Sequence, residues 1–592
     1  MSVSPVQRDV PFAAEMEAPV PAGAERAELT VRAVVAGCSI GAVLAAANVY
    51  TGLKLGWGDQ GNITGSLAGF GLFAFARRFA RCRYGPLENN ITQTVAASAA
   101  GMSFTAGLVS AFPALSMMGH ASPSWAIIGW AVALGGTGVL VALLLRERLI
   151  VAEKLPFASG IATAEVIDGL HRKASSALGR ARALAASAAA AMALVWFRDG
   201  RPALIPQLVA VPLRVAGIPI ESLKLGLNPS PLLLGTGLLI GPRNAFSLLL
   251  GSLIAWVALA PLAARQGWVR GIEFAPMSDW LLWPGVALMA ASALTSLFLQ
   301  WKSLRKGLLD LLPRPSSSAR RRASSGHLWL APAALAFSVA LIGRQAFGLH
   351  PIFTLTALAS SVLLAGICAR ATGETDIAPV TQMGQLTQLS VGMAAPSPVA
   401  NVLSGAVASG AAAQTAQTLW ALKAGALLKA SQRSVIYAQV IGIVLGALVV
   451  VPAFRLVCQA YRLGSEALPA PAAASSRALA EVMRSGLVGL PPGASAAAAG
   501  GAIIGVLLAL ADRHPRGRFF PSAVAMGVGF LQPASFGMTI GLGAACLLLA
   551  RRINAQWAGT YGETIASGTI AGESLLGVVV AALLSAGILK QP

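Results

Sequence analysis

Apolar stretches of about twenty residues recur along almost the whole chain, with hardly a charge inside them, and few folds can absorb such a pattern. A helix needs about 20 apolar residues to cross the hydrocarbon core of a bilayer. Stretches near that length lie at 31–50, 62–80, 90–115, 124–145, 177–197, 231–264 and 280–300. They resume at 328–343, 352–369, 398–413, 434–456, 495–511, 519–550 and 566–588, and both 231–264 and 519–550 have room for two crossings. Shorter segments broken by Gly and Pro lie at 155–170, 202–220, 377–395 and 468–490. The expectation is an all-α polytopic membrane protein of about 14–16 transmembrane helices, with broken or re-entrant segments among them.

Composition agrees. Only 11% of the 592 residues are charged, against about 25% in soluble domains, and the mean hydropathy is +0.69. Glycine is abundant and recurs at four-residue spacing, as in Gly52/Gly56, Gly65/Gly69, Gly237/Gly241, Gly442/Gly446, Gly501/Gly505 and Gly568/Gly572. Small residues at that spacing let helix backbones approach closely. The five Cys and five His are scattered without ligand or disulfide spacing, so neither a protein metal site nor a disulfide framework is expected, and no cofactor.

The net charge of +21 comes from short basic clusters between apolar stretches. That pattern fits cytoplasmic loops obeying the positive-inside bias and excludes a nucleic-acid partner; the partner is the lipid bilayer. Residues 1–30 read as a polar, disordered cytoplasmic tail without signal-peptide order. Residues 302–327, with Lys302, Arg305, Lys306, Arg314, Arg320, Arg321 and Arg322, read as a basic cytoplasmic linker between a first transmembrane repeat, 31–301, and a second, 328–592. Arg77, Arg78, Arg81 and Arg83 face the same side, which puts the N-terminus in the cytoplasm of a multi-pass protein of the cell (inner) membrane. Basic residues flank 155–170 on both sides, so that segment is either re-entrant or a short crossing with one loop breaking the charge bias.

The chain matches itself in order. Glu88-Asn-Asn-Ile91 resembles Glu374-Thr-Asp-Ile377, Leu155-Pro156 resembles Leu468-Pro469, and Gly241-Pro-Arg loosely resembles Leu531-Gln-Pro. Tandem duplication with parallel repeats is the expectation, with a substrate site between the halves near mid-membrane.

An ionisable side chain at the centre of a span costs about 2.5–3.5 kcal/mol on insertion scales and marks function by default. Candidates for proton coupling are Glu165, Glu573, Glu481, Glu374, Asp376 and Glu88, with Asp168 and Glu563 also acidic near spans. Glu573 stands among apolar and small residues and is expected to be buried, and Glu165 and Glu481 occupy matching places on broken segments. Glu88, Glu374 and Asp376 stand where loops meet helices, so each is either an N-terminal cap or a functional group. Lys54 and Lys423 are possible partners for these acids; the other reading of Lys54 is an interfacial Lys reaching for the membrane surface, though Gly52 and Gly56 beside it suggest close packing. Uncharged polar side chains give the substrate-binding candidates Asn48, Tyr50, Asn90, Gln93, Thr94, Gln382, Gln385, Gln388, Asn401 and Gln414. Amides can both donate to and accept from peptide groups; the alternative is that they join helix to helix.

These segments resemble the oligopeptide transporter family, which includes yellow stripe-like metal–chelate transporters. The stretches that carry the likeness run in family order from Asn48 to Gly56, Glu88 to Ser98, Leu155 to Gly160 with Ala164-Glu165-Val166, and Gly373 to Val380 with Leu386 to Leu389. They continue through Asn401 to Gly410, Gln414, Leu422 to Gly425 and Ala571 to Ser574, and the Gly-Glu-Thr-Asp-Ile stretch is the most specific. The resemblance implies up to sixteen helices arising by duplication and proton-driven uptake. This chain departs from the family's pattern at Ala158, where a second Pro is usual, at Gln417 and Ala421, where acids are common, and at Gln385, where a Lys is frequent.

The function expected is secondary active transport by alternating access, as proton-coupled symport of oligopeptides or peptide-like compounds, with a metal–chelate or siderophore carrier as the alternative. A channel or a membrane-embedded enzyme stands behind both. The one Gly-x-Ser-x-Gly, Gly37 to Gly41, lies inside the first apolar span rather than on a strand-to-helix turn, and no phosphate-binding loop occurs. The chain is not expected to be an enzyme.

Overall fold

The computed structural model describes residues 28–77, 79, 84–172, 174–210, 214–215, 217–271, 273–310, 330–376, 378–394, 397–486 and 489–589. The first half begins with α1 (Val31–Leu55), α2 (Asn62–Ala76), α3 (Pro86–Thr105), α4 (Ala111–Met117) and α5 (Ser124–Arg146), the last running on as a π turn to Ala152. Next come α6 (Ala158–Arg172), α7 (Ala174–Asp199), α8 (Pro231–Leu253), α9 (Ala260–Arg265), α10 (Phe274–Leu299) and α11 (Trp301–Asp310). The second half holds α12 (Leu330–Phe347), α13 (Pro351–Thr375), α14 (Val380–Ala394), α15 (Pro398–Leu427) and α16 (Gln432–Ala460). It ends with α17 (Pro471–Ser485), α18 (Ala494–Ala511), α19 (Ala523–Phe530), α20 (Ala534–Ile553) and α21 (Ala555–Ser585).

The chain is therefore an all-α polytopic membrane protein. Eleven helices among the described residues are long and apolar enough to cross a bilayer. Two long helices fall outside that set because they are too polar, and they are the most enclosed. Of α3, 18 of 20 residues are buried, and of α15, 23 of 30. Walled in by other helices, they meet little lipid, so the cost of polar groups in hydrocarbon does not apply to them. The basis of the bundle is backbone proximity: α3 packs against α1 and α16, α15 against α13 and α14, α8 against α20, and α10 against α18.

Some expected crossings are different objects. Segment 202–220 is not a helix; it carries a two-residue hairpin, Arg214–Val215 paired with Ile218–Pro219. Pro202, Pro206, Pro212 and Pro219 remove the donors and free φ angles a helix needs. Segment 231–264 is two helical pieces joined at Gly241, whose φ 80° and ψ 161° are not helical, ahead of Pro242. Segments 155–170, 377–395 and 468–490 each form one 15-residue helix, α6, α14 and α17, about 22 Å long and short of a full span. Of the basic linker, residues 302–310 continue α11 and 311–327 lie outside the described residues, as do residues 1–27, Arg78, Arg81 and Arg83.

The pairs Gly442/Gly446, Gly501/Gly505 and Gly568/Gly572 lie against neighbouring backbone, whereas Gly56 and Gly241 take positive φ at a helix end and a break. A Cβ on Gly501 or Gly505 would strike the carbonyls of Pro284 and Leu288 on α10. The obstacle is backbone, which cannot rotate aside. Gly505→Leu should therefore destabilise the protein by at least about 2 kcal/mol, read as a lowered melting temperature in detergent. A melt unchanged from the parent would show that α18 and α10 are not held this closely.

Candidate functional site

Two polar places lie inside the bundle. The first centres on Glu573, which is fully buried on α21 as expected. Its Oε1 accepts from Lys54 Nζ at 3.1 Å and from Arg198 Nη2 at 3.1 Å, and its Oε2 accepts from Ser230 Oγ at 2.7 Å and Leu232 N–H at 2.9 Å. Ser230 is the N-cap of α8, so this carboxylate also sits at a helix N-terminus, where the dipole favours negative charge. Arg198 turns its other face to Asp199, at 2.9 and 2.6 Å, and to the Pro229 carbonyl at 3.1 Å. Two cations and two carboxylates make the cluster neutral. It ties the end of α1, the end of α7, the start of α8 and the middle of α21 together; Thr51 and Ser574 add a hydroxyl contact of 2.6 Å beside it.

Lys54 thus does not reach for the membrane surface. It is 5% exposed, donates to Tyr50 Oη at 3.3 Å and lies over the Tyr50 and Phe536 rings. Burial favours pairing here because Glu573 is within reach, and Gly577 leaves room for the Tyr50 ring on α21. Arg198 is the member that sequence reasoning missed. Standing at the end of an apolar span next to Asp199, it looked like an ordinary terminal charge. With Asp199, Gly200 and Arg201 directly after it, the sequence holds no signal that separates it from such a charge.

The second place is a cavity of about 480 Å³ between α14, α15 and α17 on one side and α8, α10 and α19 on the other, closed by the turns after α1 and α3. Its size is ordinary for a small-molecule site. Gln382, Gln385 and Gln388 line it, with Asn244, Ser409, Ser475 and Ser476, and no charged residue is among its described lining. Gln385 is 8% exposed and its Oε1 has no partner. Gln388 donates to Asn401 Oδ1 and to the Ser476 carbonyl, both at 3.3 Å, so Asn401 stands one bond behind the wall.

The remaining candidates are elsewhere. Asn48 joins α1 to the Asp59 backbone and to the Ala100 carbonyl at 3.0 Å. Gln414 accepts from Thr105 at 3.3 Å and donates to Gln439 at 3.1 Å, linking α15 to α3 and α16. Thr94 back-bonds to the Asn90 carbonyl, and Gln93 donates to Asn90 and Thr94. Asn90 Nδ2 and Gln93 Oε1 are buried without partners, away from the cavity lining. Interhelical bonding, the alternative open at the sequence level, describes Asn48 and Gln414.

Among the acids, Glu88 is the expected cap: it accepts from Gly85 N–H at 3.2 Å in the first turn of α3, and pairs with Arg32 at 2.7 and 2.8 Å. Glu374 lies in the last turn of α13 and pairs with Arg370 at 3.0 Å. Glu88 and Glu374 therefore stand at opposite ends of their helices and are not equivalent places. Asp376 caps another helix: Oδ1 accepts from Ser159 N–H at 2.9 Å and Oδ2 from Ser159 Oγ at 2.6 Å, at the start of α6. Glu481 pairs with Arg477 at 3.5 Å, and Glu165 is exposed on α6. Neither lines the cavity.

Glu573→Gln leaves the cluster with one charge in excess. It should cost about 3–5 kcal/mol, the scale for an orphaned buried charge. Lys54→Met added to it restores neutrality and should recover part of the lost melting temperature. A double variant no more stable than Glu573→Gln alone would refute the neutral-cluster account.

A family model described as OPT oligopeptide transporter protein matches residues 28–584. The chain is 24% identical to a "Putative oligopeptide transporter" of Saccharomyces cerevisiae, covering 93% of this chain and 95% of that one. It is 23% identical to a "Putative oligopeptide transporter" of Haemophilus influenzae, over 91% and 93% of the two chains. With a "Probable metal-nicotianamine transporter" of Arabidopsis thaliana it shares 23% identity over 95% and 88%.

Proposed function

The chain belongs to the oligopeptide transporter family, and on that premise we propose that it is a proton-coupled secondary transporter that takes up oligopeptides or peptide-like compounds by alternating access. The observation that carries the reading is the uncharged cavity with three glutamines on its wall. Amide side chains match the donors and acceptors of peptide groups, and the apolar remainder accepts side chains of many shapes. A metal chelate is the second reading, favoured by the name of the Arabidopsis relative. A chelated metal brings its own ligands, so it needs no His, Cys, Asp or Glu cluster from the protein.

For coupling, Glu573 remains our first choice and Glu165 our second. Glu573 faces Lys54, Arg198, Asp199 and Tyr50 from α1 and α7. A proton on Glu573 removes one of two negative charges from a joint of four helices, and the remaining Lys54 and Arg198 then repel. That is a charge change able to bias the packing of one group of helices against another. We also propose that the two halves are duplicated. The Leu-Pro turns before α6 and α17 and the breaks at Gly241-Pro242 and Leu531–Pro533 support this. A cytoplasmic N-terminus in the cell membrane follows from the basic clusters.

In proteoliposomes, a radiolabelled tripeptide should accumulate under an inward proton gradient and stop doing so when a protonophore is added. Ser409→Trp, which fills the cavity, should reduce uptake at least about tenfold while the melting temperature stays within a few degrees of the parent. Uptake indifferent to Ser409→Trp would remove the cavity from the mechanism. Competition by an iron-loaded chelator, but not by metal-free peptide, would transfer the cargo to the second reading. Unchanged pH-driven uptake in Glu573→Gln and Glu165→Gln would dismiss both coupling residues.

A further inference from the structure

Two corners of the molecule have the same local construction but differ in one group. Before α6, the turn Leu155-Pro156-Phe157 carries Phe157 at φ 46°, and its N–H donates to the Gly373 carbonyl near the end of α13 at 3.2 Å. Before α17, the turn Leu468-Pro469-Ala470 carries Ala470 at φ 48°, and its N–H donates to the Leu53 carbonyl near the end of α1 at 2.9 Å. Both α13 and α1 then end three residues later on a left-handed C-cap, Asp376 and Gly56. At the first corner the Asp376 carboxylate caps α6 through Ser159. At the second there is no such side chain: Gly56 has none, and a Cβ built there would lie 3.1 Å from Pro471 Cγ, which must give slightly, and 3.7 Å from the Ala472 N, the counterpart of Ser159.

The start of α17 has no cap of its own. Its N-cap is Ala470, which makes no side-chain bond, and Pro471 leaves Ala472 and Ala473 as the first donors of the helix. This end opens into the cavity, whose wall includes Gly56, Pro471, Ala472 and Ser475. The same wall holds the unpartnered Oε1 of Gln385 on a side chain that is 8% exposed. The cavity thus borders a helix dipole end, with Ala472 on its wall, and, independently, a buried amide whose oxygen lacks a donor, with no cation among its described lining.

We infer that the N-terminus of α17 is the anion subsite of the cavity, and that it holds the carboxylate of the cargo where Asp376 stands at the duplicate corner. Backbone N–H groups and the dipole bind carboxylates without a counter-ion, and Gln385 receives an N–H of the same molecule. Gly56 is required because any side chain there takes up the space of the ligand. The inference rests on the cavity being the cargo site.

The test uses the full chain purified in detergent, with pools of tripeptides bearing a free C-terminus and the same pools as C-terminal amides. The free-acid pool should stabilise the protein to heat with an apparent Kd about tenfold below that of the amide pool, the difference between a charge-assisted and a neutral hydrogen bond. Equal stabilisation by both pools overturns the subsite and leaves the cavity reading standing, provided Ser409→Trp abolishes both shifts. Stabilisation by neither pool overturns the cavity reading and the subsite with it. Gly56→Asp supplies the missing carboxylate in a left-handed position that Asp376 already tolerates. It should raise the melting temperature and erase the difference between pools; a Gly56→Asp protein that still prefers the free acid overturns the subsite. If that variant does not fold, the comparison of pools on the parent chain decides alone.

Discussion

The Glu573 carboxylate lies where water cannot solvate it, and much else follows from how its charge is met. An unpaired ion in a medium of low dielectric is too costly to keep. Lys54, Arg198, the N-cap hydroxyl of Ser230 and the Leu232 amide all turn toward it. Because these groups come from α1, α7 and α8, satisfying one carboxylate fixes the relative placement of four helices. The end of α1 set in this way also sets Leu53, whose carbonyl receives the turn before α17, and Gly56, which borders the cavity. Charge neutralisation on one side of α1 and cavity shape on the other are thus mechanically linked.

Around that joint, buried polarity continues in the enclosed helices and on the cavity wall. Helices α3 and α15 carry amides and hydroxyls through the interior, bonded within their own turns and across to α1, α2, α5, α14 and α16. This is what lipid exposure would forbid and enclosure allows. Groups without a partner remain in both places, at Asn90 Nδ2, Gln93 Oε1 and Gln417 Oε1 inside these helices and at Gln385 Oε1 on the cavity wall.

The departures from the family pattern take on meaning once placed. Gln385, at a position where the family resemblance implies a Lys, stands on a cavity wall with no charged residue among its described lining. Gln417, where an acid is common, donates to Asn62 Oδ1 at 2.9 Å and joins α15 to α2. Ala421 is buried in the contact of α15 with its neighbours. At these points the contacts of this chain are amide and apolar.

The membrane class, the helical content, the close-packed glycine faces and the breaks at Leu-Pro were all legible in the sequence. Each is a local property: hydropathy over twenty residues, a four-residue period, or a lost N–H. Burial of Glu573 was legible for the same reason, from its apolar neighbours in the chain. Lys54 was legible as a possible partner of a buried acid, but not as the partner of Glu573, and Arg198 was not legible at all. Lys54 and Arg198 lie 519 and 375 residues away, and no period in a sequence records which distant charge will neutralise another. Nor could the sequence separate Gln385, left open in a cavity, from Gln414, spent between helices, since both are amides on polar helices. Only packing decides that, because a hydrogen bond depends on what the fold brings within about 3 Å of each side chain.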